Sequence, residues 1–267
     1  MATNTTKKTR RKRSGKRKKK TSGSLSAWWR KTWRKSRFWV IGAAVLLVCY
    51  LLVPYVQDIF FAGHSSNANY DGIDVSKHNS NINWQRVAQD PNIKFVYIKA
   101  TEGFSIVDSK YKKNLREARA AGLKVGSYHF FRGYRTAEEQ FAIFSQNVDK
   151  SQQDLVPMVD VEQTGNSLVK RDLLQVRLQK FMELVKEHYG KYPLLYSQHH
   201  FYNERLAPEF NKYFIFMARY SKKEPELKGG GKYNIWQYSE KGHIKGIHGN
   251  VDLDRFGPGT RLSDIEL

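Results

Sequence analysis

Four acidic residues stand at expected strand ends, and their spacing is typical of an acid–base site. The segment Pro157–Glu162 reads Pro-Met-Val-Asp-Val-Glu. On a strand, residues two apart share a face, so Asp160 and Glu162 should point the same way with Cα atoms about 6.6–7 Å apart. Asp74 ends an earlier apolar run and Asp252 opens a later one. Four carboxylates in one cleft repel one another, which favours keeping one protonated, as glycosidic bond cleavage requires.

Spacing alone leaves other interpretations open. An Asp-x-Glu segment on a strand often faces solvent, and four acids can also bind Ca²⁺, although these form no contiguous EF-hand loop. His129 follows Tyr128 and should face the opposite side of its strand, and His199-His200 has no partners at metal-ligand spacing. The single cysteine, Cys49, lies in an apolar run, which excludes a disulfide or a cysteine nucleophile beyond it. We therefore expect no metal and no cofactor.

The elements that must position these acids alternate between strand and helix from Tyr70 onward, which predicts a largely parallel sheet. Eight strands suggest a closed barrel, with the acids at the carboxyl ends of its strands and the first and last strands adjacent. The last three strands are too closely spaced for full helices between them. The fold class is therefore α/β, an irregular eight-stranded β/α barrel similar to the TIM barrel. The predicted strands are Gly72–Ser76, Phe95–Thr101, Lys124–Phe130, Pro157–Glu162, Pro193–Ser197, Tyr213–Tyr220, Asn234–Tyr238 and Val251–Phe256.

Three helices between the earlier strands have recognisable ends. Asp108 is a candidate N-cap for a helix that runs to Ala121 and stops at Gly122. The segment Thr136–Glu139 is a capping-box pattern that opens the next helix. A third helix carries one apolar stripe and ends at a glycine; its marker residues are Leu174, Leu178, Phe181, Val185 and Gly190.

The net charge of +21 is concentrated at one end of the chain. Residues 1–37 hold 16 Lys and Arg and no acid, which leaves 30 basic and 25 acidic residues beyond Arg37, a net charge of +5. A segment this polar cannot bury enough apolar surface to offset the conformational entropy that it would lose on folding. We therefore predict a disordered basic tail. This tail can contact anionic lipid or nucleic acid, or serve only as a topology signal, and nothing indicates specific nucleic-acid binding.

Residues 38–56 contain no charge and would span about 28 Å as a helix, close to the hydrocarbon thickness of a bilayer. A signal peptide cleaved near Ala62-Gly63 is the alternative, but 37 residues before the apolar run exceed the usual short basic region. We therefore predict one uncleaved transmembrane helix over 38–56, then a linker over 57–69. Because the cations precede the span, the N-terminus should be cytoplasmic, with residues 70–267 on the periplasmic or extracellular side of the cytoplasmic membrane.

Several short segments match one known family in order and spacing. They are Gly72–Ser76, Phe95–Gly103, Gly126–Phe130, Asp160–Glu162, Ala218–Tyr220, Trp236–Tyr238 and Val251–Leu253. On these segments the stretch from about Tyr70 to Phe256 resembles glycoside hydrolase family 25, the Chalaropsis-type lysozymes. One departure is Phe216-Met217, where the family commonly has a tryptophan before Ala-Arg-Tyr. The resemblance implies a barrel enzyme that hydrolyses the β-1,4 bond between N-acetylmuramic acid and N-acetylglucosamine in peptidoglycan.

The resemblance also implies roles for the acids. Glu162 would be the general acid, and Asp160 would orient and stabilise the substrate's 2-acetamido group as it attacks the anomeric carbon. Asp74 and Asp252 would support this pair by charge and hydrogen bonding. An acetamido nucleophile removes the need for a protein nucleophile about 5–5.5 Å from the acid. Direct displacement by water stays open from the sequence.

Aromatic and polar side chains near strand ends complete the predicted site. Aromatic rings there can stack on pyranose faces, although packing in the core is their commoner fate. Lys99 and Arg219 can contact substrate or pair with the acids. The predicted substrate-binding residues are Tyr128, Phe130, Tyr196, Trp236, Gln237, Lys99 and Arg219.

Two functions from different classes follow for residues 70–267. The leading one is a membrane-anchored glycosidase of the lysozyme type that degrades or remodels peptidoglycan. The alternative is a catalytically silent module that binds and tethers peptidoglycan, against which the retention of all four acids argues. A monomer is expected, since the sequence has no sign of an oligomer outside the span.

Overall fold

A computed structural model describes residues 41–52 and 69–267 of the chain. The chain divides into two units between Gln57 and Asp58. In the first unit, helix α1 covers residues 41–52 and its side chains are exposed. Within the described ranges, no helix is both long enough and apolar enough to cross a membrane. The basic tail, the remainder of the predicted span over 38–56 and all of the linker but residue 69 fall outside the described residues, so these stay predictions.

The second unit contains the predicted barrel. Strand β1 pairs with both β9 and β2, which closes eight strands into a ring in the order β1-β9-β8-β7-β6-β5-β4-β2. A short strand that was not predicted, β3, pairs only with the end of β2. The strands are β1 (Gly72–Val75), β2 (Phe95–Glu102), β3 (Ile106–Val107), β4 (Val125–Phe130), β5 (Met158–Asp160), β6 (Leu194–Gln198), β7 (Ile215–Ala218), β8 (Ile235–Gly242) and β9 (Val251–Phe256).

One strand of the barrel runs in the opposite direction to the other seven. From β1 through β2, β4, β5, β6 and β7 to β8, every neighbouring pair is parallel. The last strand, β9, is antiparallel to both β8 and β1. Parallel neighbours need a crossover of a dozen or more residues, whereas an antiparallel neighbour needs only a turn, and eight residues separate β8 from β9. The predicted irregular second half is confirmed.

The helices of the barrel confirm three of the four predicted ends, among them the stop of α3 before Gly122, which has φ 85°. Thr136 forms the expected capping box for α4, and α5 ends at Gly190, which adopts a left-handed conformation with φ 92°. The expectation for Asp108 is wrong, because α3 begins after Lys110 and the Asp108 carboxylate instead accepts the backbone N–H groups of Lys77 and Lys110. The helices are α2 (Trp84–Val87), α3 (Tyr111–Ala120), α4 (Ala137–Asn147), α5 (Arg171–Tyr189) and α6 (His199–Arg205).

Alternation along the strands divides the core into two layers. On β2, Phe95 and Tyr97 belong to one apolar cluster, while Val96 and Ile98 belong to the other, which also contains the buried side of α5. The cluster that contains Phe95 and Tyr97 fills the barrel interior. A Cβ atom at Gly126 would lie 2.4 Å from the Tyr97 ring, so glycine is required there for the ring to fit. Because the interior is filled, a substrate can reach the strands only at one end of the barrel.

Candidate active site

An open cleft of about 340 Å³ lies at the carboxyl ends of the parallel strands. Nine of the eleven predicted site residues line it. They are Asp74, Lys99, Tyr128, Phe130, Asp160, Glu162, Tyr196, Gln237 and Asp252. The prediction that the first and last strands bring their acids to Asp160 and Glu162 is therefore confirmed.

Asp160 and Glu162, which we call the β5 carboxyl pair, come from the end of β5 and the residues after it. Asp160 is 6% exposed, and its Oδ1 has no hydrogen-bond partner among the described residues. Burial raises the pKa of Asp160 well above its usual range, and the charge of Glu162 raises it further. Burial also raises the pKa of Glu162, although the charge of Lys99 and a hydrogen bond with Asp160 oppose this. Two adjacent acids with raised pKa values hold a proton more readily than isolated carboxyls do.

The backbone around this pair is held from the neighbouring strand β6 and from the segment that follows β5. The Ser197 hydroxyl donates to the carbonyl of Val161 at 2.7 Å, and the Asn166 amide donates to the carbonyl of Glu162 at 2.8 Å. Ser197 and Asn166 are both fully buried. The β5 carboxyl pair is therefore preorganised, which is what an acid–base site requires.

Asp74 and Asp252, which we call the β1–β9 carboxyl pair, face each other across two antiparallel strands. The Gln237 amide donates to Asp74 Oδ2 at 2.5 Å. Burial raises the pKa of Asp74 well above normal, and the charge of Asp252 adds to the effect. Burial and the charge of Glu240 raise the pKa of Asp252 to about 6. This pair also retains protons above the usual carboxyl range.

Gln237 is oriented by two tyrosine hydroxyls. Those of Tyr196 and Tyr220 donate to its Oε1 at 2.9 and 2.6 Å, so its Nε2 must face Asp74. The side chain is 1% exposed. Although Gln237 lies at the cleft as predicted, its amide is occupied by protein partners, and the structure gives it the geometry of a positioning residue for Asp74.

Lys99 brings a positive charge to the cleft. Its ammonium donates to Glu102 Oε2 at 2.7 Å and lies 4.5 Å from the centroid of the Phe130 ring. The guanidinium of Arg132 lies 4.6 Å from the same centroid, and its Nε donates to Glu102 Oε1 at 3.1 Å. Burial alone would raise the pKa of Glu102, but hydrogen bonds from Lys99 and Arg132 lower it overall, so Glu102 is ionised.

Two residues predicted to bind substrate, Trp236 and Arg219, do not line the cleft, so their expected placement is wrong. Trp236 is 1% exposed, donates through Nε1 to the carbonyl of Arg219 and packs against the guanidinium of Arg255. Since Gln237 turns to the cleft, its strand neighbour Trp236 must face the other side. The Arg219 guanidinium donates to the carbonyl of Glu224 in a surface loop.

The prediction for His129 is confirmed. It lies on the outer side of β4, where it contacts the Thr101 hydroxyl at 2.7 Å and stacks on the ring of Phe181. Burial lowers its pKa to about 4, so the imidazole is neutral and plays no part in the cleft. In the described ranges, no three acidic, histidine or cysteine side chains are placed to hold a metal ion.

The sequence interpretation missed several residues at or beneath the cleft. Ser76, His78, Met158, Tyr220 and Glu240 line it. Asp254 lies beneath it, fully buried, and neither carboxyl oxygen has a hydrogen-bond partner in the described part of the chain. Strand alternation from Asp252 would have found Asp254, because residues two apart share a face. Tyr220 ends the family-matching segment Ala218–Tyr220, which could have marked it, whereas no local signal marks Glu240.

A filled β/α barrel with a carboxyl-lined cleft at the carboxyl ends of its strands defines a class, that of barrel hydrolases which act by acid–base chemistry. The family model for glycosyl hydrolases family 25 matches residues 73–247. The chain belongs to this family and is a glycosidase of the lysozyme and muramidase type.

Relatives and solved structures agree with this assignment. The autolytic lysozyme of Clostridium acetobutylicum is 31% identical over 189 residues, which cover 70% of this chain and 56% of the relative. The uncharacterized protein YegX of Escherichia coli K12 is 39% identical over 189 residues, 69% of this chain and 68% of its own length. A family 25 glycosyl hydrolase structure from Bacillus anthracis superposes with a TM-score of 0.67 at 29% identity, over 76% of this chain and all of that one.

Proposed function

We propose that this chain cleaves the β-1,4 bond between N-acetylmuramic acid and N-acetylglucosamine in peptidoglycan, with Glu162 as the general acid. Family membership supports peptidoglycan hydrolysis. The observation that carries the residue assignment is the β5 carboxyl pair. Its two acids lie side by side in the cleft, and both have raised pKa values because of burial. A carboxyl group that keeps its proton at neutral pH can protonate a glycosidic oxygen.

The two acids of the β5 carboxyl pair have different access to substrate. Asp160 is the more deeply buried, whereas Glu162 is partly exposed in the cleft. In the free enzyme the hydrogen bond between them holds the shared proton. When the 2-acetamido N–H of the substrate approaches Asp160, it favours the ionised form of that carboxyl, and the shared proton passes to Glu162. Glu162 then delivers it to the leaving oxygen.

The acetamido oxygen is the proposed nucleophile. It attacks the anomeric carbon while the bond to the leaving oxygen breaks, and the oxazolinium ion that forms is stabilised by the Asp160 carboxylate. Glu162, now ionised, activates a water that opens the ring and restores the proton. Two inversions give a retained product. Proton NMR of the first-formed anomer tests this route. An inverted anomer would show that water attacks the anomeric carbon directly.

The test of the activity is fragment release from purified peptidoglycan by the full-length chain. Digests are reduced with borohydride and analysed by mass spectrometry, and we expect new reducing ends on muramic acid. Glu162→Gln keeps the shape of the side chain and should lower the rate by about 10³-fold, within the range for loss of a general acid. Glu183→Gln, on the outer helix α5, is the matched control and should behave as the wild type.

Other outcomes of this experiment select a different function. Binding to peptidoglycan without release by either form would support the tethering module. Release by Glu162→Gln at the wild-type rate would mean that another group donates the proton.

We also propose that residues 38–56 anchor the enzyme in the cytoplasmic membrane, with the N-terminus in the cytoplasm and the catalytic domain outside. The uncharged stretch and the preceding cations support this. Protease added to intact spheroplasts should then degrade the domain and leave the tail protected. A mature N-terminus near Ala62-Gly63 would instead indicate a cleaved signal peptide.

The binding partner of the basic tail is tested by two measurements on the chain. One is flotation with anionic lipid vesicles, and the other is salt-sensitive binding to DNA.

A further inference from the structure

Glu102 is bonded to two cations beside the cleft but does not line it. It binds the Lys99 ammonium through one carboxylate oxygen and the Arg132 guanidinium through the other. All three side chains are less than one-fifth exposed. Charge-assisted bonds shielded in this way hold their partners more firmly than surface ion pairs do. Arg132 is further fixed by a hydrogen bond to the carbonyl of Thr164 at 3.0 Å, two residues beyond Glu162.

A β-bulge brings Glu102 to this position. In a regular strand, residues three apart face opposite sides, so Lys99 and Glu102 would be separated by the sheet. The register between β2 and β4 shifts between Lys99 and Thr101. As a result Lys99 pairs with Tyr128 and Glu102 with Phe130, and both of these partners line the cleft. Bulges of this kind are over-represented next to active sites, where they redirect a side chain.

The surroundings of the β5 carboxyl pair are mostly acidic or neutral. Lys99 is the one Lys or Arg among the cleft-lining residues of the described chain, and Arg132 lies just behind it. The charges of both act to lower the pKa of Glu162. The other titratable groups that line the cleft are the carboxyls of Asp74, Glu240 and Asp252, the phenols of Tyr128, Tyr196 and Tyr220, and the imidazole of His78. The positions of two cations therefore govern how firmly the pair holds its proton.

We propose that Glu102 is a positioning residue that restrains Lys99 and Arg132, so that neither closes onto the β5 carboxyl pair. Without this carboxylate the flexible Lys99 side chain would turn to the nearest anionic group, and Asp160 and Glu162 provide it. A direct ion pair would stabilise their ionised forms and remove the proton that the reaction uses. This inference rests on the proposed function. It adds that Glu102 sets the pH above which kcat falls.

The test is the pH dependence of kcat for the full-length enzyme and Glu102→Gln. The acid must be protonated, so kcat falls as pH rises through the pKa of the pair. In Glu102→Gln the released cations lower that pKa, so we expect this fall to occur about one pH unit lower, with about 10-fold less activity on the alkaline side. The low-pH plateau should stay within about twofold of wild type, whereas a merely structural defect would lower activity at every pH.

Three further variants sharpen the test. Adding Lys99→Met to Glu102→Gln should move the fall in kcat back towards higher pH, because the released ammonium is gone. Glu102→Asp keeps the charge and should leave the profile within about 0.3 pH units of wild type, a shift worth no more than twofold in rate. Glu117→Gln removes the acid of the surface pair with Arg116 and is the matched control.

An unchanged profile in an active Glu102→Gln enzyme would overturn the inference and leave the proposed function intact. So would a loss at every pH that Lys99→Met does not relieve. If Glu102→Gln fails to fold, Glu102→Asp decides by itself, because a full-unit shift with the charge retained contradicts the role. An inactive wild-type enzyme would instead remove the proposed function first.

Discussion

The β5 carboxyl pair and the β1–β9 carboxyl pair lie on opposite sides of one cleft and contain the same functional groups in different surroundings. Asp160 and Glu162 are two residues apart in sequence, with a lysine nearby and one carboxyl oxygen unpartnered. Asp74 and Asp252 come from opposite ends of the domain. Asp74 is bonded to Gln237, and two tyrosines fix that glutamine.

The difference concerns what each pair can do with a proton. Burial raises the pKa of Asp74 and of Asp160 well above the usual carboxyl value, so both favour the protonated form more than an exposed carboxyl does. One oxygen of Asp160 has no partner among the described residues, and the charge of Lys99 acts to lower the pKa of this carboxyl, so in the proposed mechanism Asp160 ionises during turnover. Asp74 has a neutral partner, the Gln237 amide, and the negative charge of Asp252 raises its pKa further. A raised pKa alone therefore does not distinguish a reacting acid from a supporting one.

The largest expected difference between the two pairs is in kcat after conversion of an acid to its amide. Asp160→Asn cannot ionise and should lower kcat by about 10²–10³-fold, the range for loss of one preorganised electrostatic group. Substrate affinity should change much less, because the group acts on developing charge. Initial rates on soluble peptidoglycan fragments measure both quantities. A loss seen only in KM would show that Asp160 binds substrate without assisting the reaction.

A smaller effect is expected from Asp74→Asn. Because burial favours the neutral form of Asp74, an amide of the same shape replaces it closely, and its oxygen can still accept from Gln237. We expect kcat to fall by less than about 10-fold, which corresponds to less than about 1.4 kcal/mol of transition-state stabilisation. Parallel kinetics with Asp160→Asn provide the comparison. Equal losses would mean that Asp74 must also ionise, and the distinction between the two pairs would be lost.

The smallest effect on rate and a distinct effect on stability are expected at Asp254, beneath the β1–β9 carboxyl pair. Burial raises its folded-state pKa well above the unfolded value of about 3.9. Its contribution to stability is full below that value and is lost as pH rises towards the folded pKa. Between about pH 5 and the folded pKa this group therefore costs up to about 1.4 kcal/mol of stability per pH unit, a dependence that Asp254→Asn should remove.

Urea unfolding at several pH values measures this dependence for Asp254→Asn. Asp149→Asn is the control: Asp149 lies on the surface, and a hydrogen bond from Ser151 lowers its pKa, so its titration falls below this pH range. Equal dependence of stability on pH in wild type and Asp254→Asn would contradict the burial argument.

Much of the barrel could be predicted from local patterns. All eight strands follow from apolar runs and their spacing, and the capping box at Thr136 follows from residue types alone. The shared face of Asp160 and Glu162 follows from strand geometry. Alternation also predicts that only one of Trp236 and Gln237 faces the cleft, because the two are adjacent on one strand.

What the sequence determined by itself was therefore the set of strands, the order in which they alternate with helices, and the acids at their ends, because each depends on neighbours within a few residues. The tertiary structure alone decided which side chains meet. A bulge in β2 turns Glu102 towards Lys99, and the antiparallel register of β1 and β9 places Asp74 directly opposite Asp252. Burial then decides which carboxyls keep a proton. Register and desolvation depend on residues far apart in the chain, and no local pattern encodes them.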